Sequence, residues 1–117
     1  MSLLDTTQLA LESAMQGSEL RQTLLTNNLA NADTPGYQAT DVNFQSTLAN
    51  AMAAGQSPTS VSYSPSNVGG AVDADGNSVN DEQTSAELAS NGLLYEDLTA
   101  VAAQRESILQ TAIGNGS

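Results

Sequence analysis

Residues 24–37 read LLTNNLANADTPGY. The apolar spacing of a helix enters from the left and ends among Asn, Asp, Pro and Gly. Pro35 disfavours the helical conformation at Thr34, so the helix must close before it. Pro35 and Gly36 suit the two central positions of a type II turn, where glycine supplies the positive φ. Asn27, Asn28 and Asn31 lower helix propensity at the point of closure. Two readings of these asparagines stay open. Either one caps the helix C-terminus while the others are solvated, or their amides bond backbone across a subunit contact. The stretch contains no His, Cys or Lys, so it reads as a joint and not as a reactive centre.

Upstream of the joint, the spacing predicts a helix from about Thr6 to Ala30, with no proline inside it. At 100° per residue, Leu4, Leu11, Ala14, Met15, Leu25 and Leu29 form one stripe, and Leu9, Leu20 and Leu24 form a narrower second one. One stripe is enough to pack a helix on its own domain; two imply contacts on two sides. Asp5, Glu12 and Glu19 bias acid toward the N-terminal half, which suits the helix dipole. Gly17 weakens the middle.

A second long helix is predicted from about Asp81 to Ile113. Leu94, Val101 and Ile108 recur at seven-residue steps, as do Leu88, Tyr95, Ala102 and Leu109, and Leu98 and Ala112 widen the face. That recurrence favours coiled-coil-like packing against another helix. Glu87 and Arg105 intrude on the apolar face, and Gly92 is a weak point. The tail Gly114-Asn115-Gly116-Ser117 is expected to stop the helix and to be mobile.

Between the helices, GQSPTSVSYSPSNVGGAVDADGNSVN (residues 55–80) holds two of the three prolines. Nothing in it is apolar enough for a core. Val61 and Tyr63 alternate with serine as in an extended piece, and Asp75-Gly76-Asn77 between Val72 and Val79 reads as a turn. The expected organisation is mainly α: residues 1–48 carry the first helix and the TPGY turn, 49–80 an irregular or weak β-hairpin middle, and 81–117 the last helix. The two terminal helices pair as a coiled-coil-like hairpin within one structural unit.

Composition narrows the function. Among 117 residues there is one Phe and no Trp, so a core built by this chain alone is thin, and association with other chains is the usual remedy. Thirteen acids face two bases, Arg21 and Arg105, for a net charge of −11. Binding nucleic acid or an anionic membrane needs Lys or Arg against phosphate, so neither is an expected partner. With no cysteine and no histidine, disulfides, thiolate or imidazole metal sites and the common nucleophile–base pairs are excluded. Asp73, Asp75, Gly76 and Glu82 fall on positions of a calcium-binding loop, but Ala71 and Ser78 break the pattern, so a turn is the preferred reading and no metal or cofactor is expected. No run reaches the ~18 apolar residues of a membrane span, and no signal-peptide pattern opens the chain.

Two stretches then meet a known pattern. LLTNNLANADTPGYQATDVNF resembles the N-terminal signature of the flagellar rod and hook protein family, and DGNSVNDEQTSAELASNGLLYEDLTAVAAQRESILQTAIG resembles a C-terminal segment of that family. Ala32-Asp33 before TPGY, with Asp41 and Phe44 after it, is similar to the family's membrane-proximal rod branch. The matches cover about residues 4–48 and 75–114. On those positions the resemblance implies an assembly motif of Asn27, Asn28, Asn31, Asp33, Thr34, Pro35, Gly36, Tyr37, Asp41 and Phe44. It also implies helix packing through Leu11, Leu25, Leu29, Leu94, Tyr95, Leu98, Val101 and Ile108. The function implied is a non-enzymatic structural subunit of the basal body that builds the proximal rod, exported without a cleaved signal to an extracytoplasmic position. Implied partners are other rod proteins, the adaptor FliE, the ring protein FliF and the flagellar export apparatus, with self-association in the rod and no small-molecule substrate. Gln38, Thr40 and Leu94 stand where Lys or Arg is common in the family, so its salt bridges do not transfer. The alternatives are another rod protein such as FlgC, or a small acidic helical adaptor or export chaperone.

Overall fold

The computed structural model describes residues 3–68, 70 and 72–116. Ser117 of the expected mobile tail, Ala71 of the calcium-loop comparison and the side chain of Leu4 lie outside what is described. The order of elements is α1 (Leu3–Ala30), β1 (Thr40–Asp41), α2 (Phe44–Ala53), a single 3-10 turn (Pro58–Ser60), β2 (Ser66–Asn67) and α3 (Asp81–Gly116). Helix α3 lies along α1, while α2 and the 3-10 turn pack on another side of α1. The result is a rod-shaped body of 66 × 27 × 14 Å.

The α1–α3 pair is antiparallel. Ser18 Oγ donates to Asn91 Oδ1 at 3.2 Å, and Gln8 Nε2 donates to the Ala102 carbonyl at 3.4 Å. Going back ten residues along α1, from Ser18 to Gln8, advances eleven along α3, from Asn91 to Ala102. The seam on α3 combines Leu88, Tyr95, Ala102 and Leu109 with Thr84, Asn91, Leu98 and Arg105, and each of these is buried or half-buried. Its centre is polar: Ser18 is 0 % and Asn91 1 % exposed. Asn91 Nδ2 donates to the Ser18 carbonyl and to Gln22 Oε1, each at 2.8 Å. A buried amide in a coiled-coil seam is satisfied in one alignment only, so it fixes register at some cost in stability. Asn91→Ala strands the Gln22 and Ser18 groups, and denaturant titration should show a loss of about 1–3 kcal/mol.

The other seven-residue series points elsewhere. Leu94 is half-buried, but Val101 is 45 % and Ile108 59 % exposed. They lie roughly a quarter-turn around the helix from the seam, beyond the reach of α1. Ile113 is 72 % exposed because α3 outruns α1 at that end.

The structure alters the expected organisation at three places. The last helix does not stop at Ile113. Among the described residues positive φ occurs only at Gly36, Gly55 and Gly76, so no left-handed residue ends the helix at Gly114, and it continues to Gly116. The expected boundary at residue 48 falls inside α2. Asn43 caps α2, with Oδ1 accepting from Ser46 N at 3.2 Å, and Gly55 closes it at φ 82°. The amides of Gly55 and Gln56 turn back to the carbonyls of Met52 and Ala51, the Schellman pattern. A ten-residue helix with only Phe44 and Leu48 fully inward leaves little periodicity to detect. The small sheet pairs Thr40 with Asn67 and Asp41 with Ser66, so its first strand comes from before the middle segment and not from a local hairpin.

Gly17 has a packing role. An added Cβ would lie 2.5 Å from the Phe44 Cβ, so only a bare backbone lets α2 approach α1 there. Phe44 is buried in that notch and meets Tyr63 edge to face, with ring centroids 6.5 Å apart. The Tyr63 hydroxyl and Ser13 Oγ are 2.6 Å apart, which ties residues 61–65 to α1.

Candidate functional site

The end of α1 leaves carbonyls without helical partners, and the chain must supply donors for them. Asn31 supplies the first pair: its amide nitrogen donates to the Asn27 carbonyl at 3.1 Å and its Nδ2 to the same oxygen at 2.8 Å. Thr34 Oγ1 then donates to Asn31 Oδ1 at 3.1 Å. The turn at Thr34–Tyr37 closes through Tyr37 N to the Thr34 carbonyl at 3.2 Å, with Gly36 at φ 73°. These are the features of a type II turn.

Asn28 does something different. It is 2 % exposed, donates through Nδ2 to the Thr40 carbonyl at 2.8 Å and accepts through Oδ1 from Thr40 N at 3.0 Å. One amide thus stands in for a strand neighbour and holds β1 against α1. Of the two readings of the asparagines, Asn31 takes the helix-end role and the Asn27 side chain is exposed; Asn28 follows neither, since it is buried and its amide bonds backbone of the same chain and not across a subunit contact.

A residue absent from the expected motif completes the joint. Asn77, 1 % exposed, donates through Nδ2 to the carbonyls of Asn31 at 2.8 Å and Thr34 at 2.7 Å. Its Oδ1 accepts from Val79 N at 2.8 Å. Around it, Gly36 N donates to the Asp75 carbonyl at 2.9 Å, Ser78 N to the Tyr37 carbonyl at 3.1 Å, and Ala39 N to Ser78 Oγ at 2.9 Å. Asp73 Oδ1 accepts the amides of Asp75 and Asn77, which shapes the Asp73–Gly76 turn. Both carboxylates lie at the surface, where the hydrogen bond between their side chains lowers the Asp73 pKa and raises that of Asp75. The TPGY and DGN turns are therefore two halves of one interlocked structure. The open carbonyls of α1 imply a donor, but nothing local in the sequence says which distant side chain it is.

A second tie binds the joint to the helices. Arg21 donates from Nε to Asp41 Oδ1 at 2.9 Å and from an Nη to Oδ2 at 3.1 Å, a two-point contact, and reaches Glu87 Oε2 at 3.3 Å. The Asp41 hydrogen bond, with the charges of Asp41 and Glu87, holds the Arg21 guanidinium above its usual pKa against the cost of partial burial. Glu87, which intrudes on the apolar face in sequence, has its partner here. Arg105 has none: among the described residues no acceptor faces its Nε, although that atom is buried.

The remaining residues of the expected motif are placed as follows. Thr34, Gly36, Asp33 and Pro35 are exposed, Tyr37 is half-buried, and Phe44 is fully buried on α1. Of the helix-packing set, Leu25 is buried; Leu11, Leu94, Tyr95 and Leu98 are half-buried; and Leu29, Val101 and Ile108 are exposed. The buried amides of the joint, Asn28 and Asn77, bond backbone, so their work is to set an angle between α1, the sheet and α3. Gly36→Val introduces a β-branched residue at positive φ, with no clash otherwise. Thermal denaturation should show it about 1–2 kcal/mol less stable.

This geometry coincides with a recognised pattern. A family profile described as flagella basal body rod protein matches residues 9–38, which span most of α1 and the TPGY turn. The flagellar basal body rod protein FlgB of Yersinia enterocolitica is 33% identical over 110 aligned residues, covering 76% of this chain and 80% of the relative. The chain belongs to the FlgB family of flagellar basal body rod proteins. FlgB of Cereibacter sphaeroides is 36% identical over 107 residues, covering 81% of this chain and 84% of the relative. FlgB of Escherichia coli is 56% identical over a 41-residue stretch. As in the FlgB family, the chain is a structural rod subunit of the flagellar basal body. No helix among the described residues is long and apolar enough to cross a membrane.

Proposed function

We propose that this chain builds the proximal rod, the membrane-side part of the drive shaft, by packing its terminal helices against those of neighbouring subunits. The observation that carries this reading is the strip of Val101 and Ile108 left facing solvent on α3 after α1 is seated; Ile113, on another side of the helix, is exposed as well, beyond the end of α1. Single exposed aliphatics are ordinary; a row of them at seven-residue spacing on one helix is a packing surface without its partner. The interlocked turns set the angle at which residues 38–80 leave the helical pair, and so their place on the outside of an assembled tube. The N-terminal helix with its turn, the middle segment and the last helix act as one unit in assembly. The neighbours are other rod proteins and further copies of this chain. The adaptor FliE and the ring protein FliF lie at the membrane-proximal end, and the chain reaches its extracytoplasmic site through the flagellar export apparatus without a cleaved signal. No residue acts as a catalyst.

The test separates folding from assembly. Val101→Asp with Ile108→Asp changes only exposed side chains, so the isolated protein should keep its helix content by circular dichroism. A strain carrying the double variant should export the protein and fail to swim. Normal swimming with both aspartates in place would refute the reading.

A further inference from the structure

Two charges intrude on the apolar face of α3, and the fold treats them differently. Glu87 is neutralised within the chain by Arg21. Arg105 has no ion-pair partner among the described residues, and its Nε is shielded from solvent without an acceptor. A cation in that condition is costly unless something else pairs with it. Arg105 lies four residues after Val101 and three before Ile108, so it borders the exposed strip, and the two aliphatics flank it there. It is the only base in the sequence besides Arg21, which Asp41 and Glu87 already hold.

The complementary surface is on α1. Glu12 and Glu19 are both exposed and stand seven residues apart on one face of α1, where Glu19 flanks a groove shared with Gly92, Tyr95 and Glu96 of α3; half-buried Leu9 and Leu20 lie farther round the same helix. Exposed carboxylates match an arginine without a partner in charge, and the half-buried leucines of the same helix match its neighbouring valine and isoleucine in apolarity.

We propose that Arg105 on α3 of one copy docks on the Glu12–Glu19 row of α1 of a second copy, with Val101 and Ile108 against Leu9 and Leu20. This rests on the assembly reading above and gives it a specific contact. The two surfaces differ, so the contact is heterologous, and repeating it yields an open-ended row of subunits and not a closed pair. Apart from this contact, copies carrying a net charge of −11 repel one another. Arg105 therefore supplies the attraction that offsets like charge and aligns the strip.

Sedimentation velocity of the full chain across concentration, at fixed moderate salt, tests this with three samples: wild type, Arg105→Glu, and Glu12→Arg with Glu19→Arg. Circular dichroism confirms that each is folded. The expected result is self-association of the wild type, at least about tenfold weaker association for either charge-reversed variant alone, and recovery when the two variants are mixed. Arg105→Gln should fall between wild type and Arg105→Glu. If the wild type associates but Arg105→Glu matches it, or if mixing restores nothing, the contact proposed here is wrong while self-assembly stands. A wild type that stays monomeric at every concentration overturns both.

Discussion

Asn77→Ala is expected to cost the isolated protein about 2–4 kcal/mol, measured by denaturant titration with circular dichroism. Its amide nitrogen serves two carbonyls, Asn31 at the end of α1 and Thr34 in the TPGY turn, and its oxygen receives the Val79 amide. Truncation leaves all three without that partner, and each stranded group in a buried setting costs about 1–3 kcal/mol, less where water can enter. Asn31 is only half-buried and Thr34 is exposed, which keeps the total below the simple sum. Asn77→Asp is the sharper variant. It has nearly the same shape and keeps the acceptor for Val79, but it aims a carboxylate at two carbonyl oxygens where two N–H bonds had been. It should be at least as damaging as alanine. An aspartate that leaves stability within about 0.5 kcal/mol of wild type would show that the two turns are not held together by this amide.

The notch between Gly17 and Phe44 carries the other large effect. Phe44→Ala should destabilise the protein by about 3–5 kcal/mol, the range for emptying a buried aromatic site. The ring is 3 % exposed and is the chain's only phenylalanine, so neighbours of comparable size are not at hand to refill the space. Gly17→Ala attacks the same contact from the other side. In an isolated helix alanine would gain about 1 kcal/mol over glycine. Here its Cβ meets the Phe44 Cβ at 2.5 Å, an atom fixed to the backbone that no rotamer change can move. The helices must separate, and overpacking of this kind costs about 1–3 kcal/mol. The sign therefore decides between a glycine kept for packing and a glycine that merely weakens α1. A stabilised Gly17→Ala protein would reject the packing role, and thermal melts at matched concentration would suffice to see it.

Much of the architecture could be read from the chain before its coordinates. Two long proline-free helices, a stop at Pro35, a positive-φ glycine at position 36 and seven-residue apolar recurrence are local or periodic properties. They follow from backbone sterics and from the 3.6-residue turn, whatever the rest of the molecule does. The seam of Leu88, Tyr95, Ala102 and Leu109 is one of the two recurring series already visible in sequence. The α2 helix was hidden because its inward residues are too few to establish a period, and its caps, Asn43 and Gly55, resemble ordinary loop residues.

The candidate site divides along the same line. The TPGY turn is visible because its conformation is encoded where it occurs. The donors that complete it are not: Asn77 lies 43 residues from Thr34, and Arg21 joins Asp41 and Glu87 across three elements. In sequence Glu87 and Arg105 look equally misplaced on an apolar face, and only the packed chain shows that one charge is answered while the other has no partner among the described residues.

By itself, then, the sequence determined the two long helices, where the first of them ends, the thinness of the core and the excess of acid, because these depend on neighbours in the chain and on totals. Tertiary structure alone decided which of two apolar series meets α1, which asparagine closes the joint and why Gly17 must lack a side chain. Those outcomes depend on contacts between residues far apart in sequence, and a polar group buried by such contacts is stable only where its partner stands at hydrogen-bonding distance.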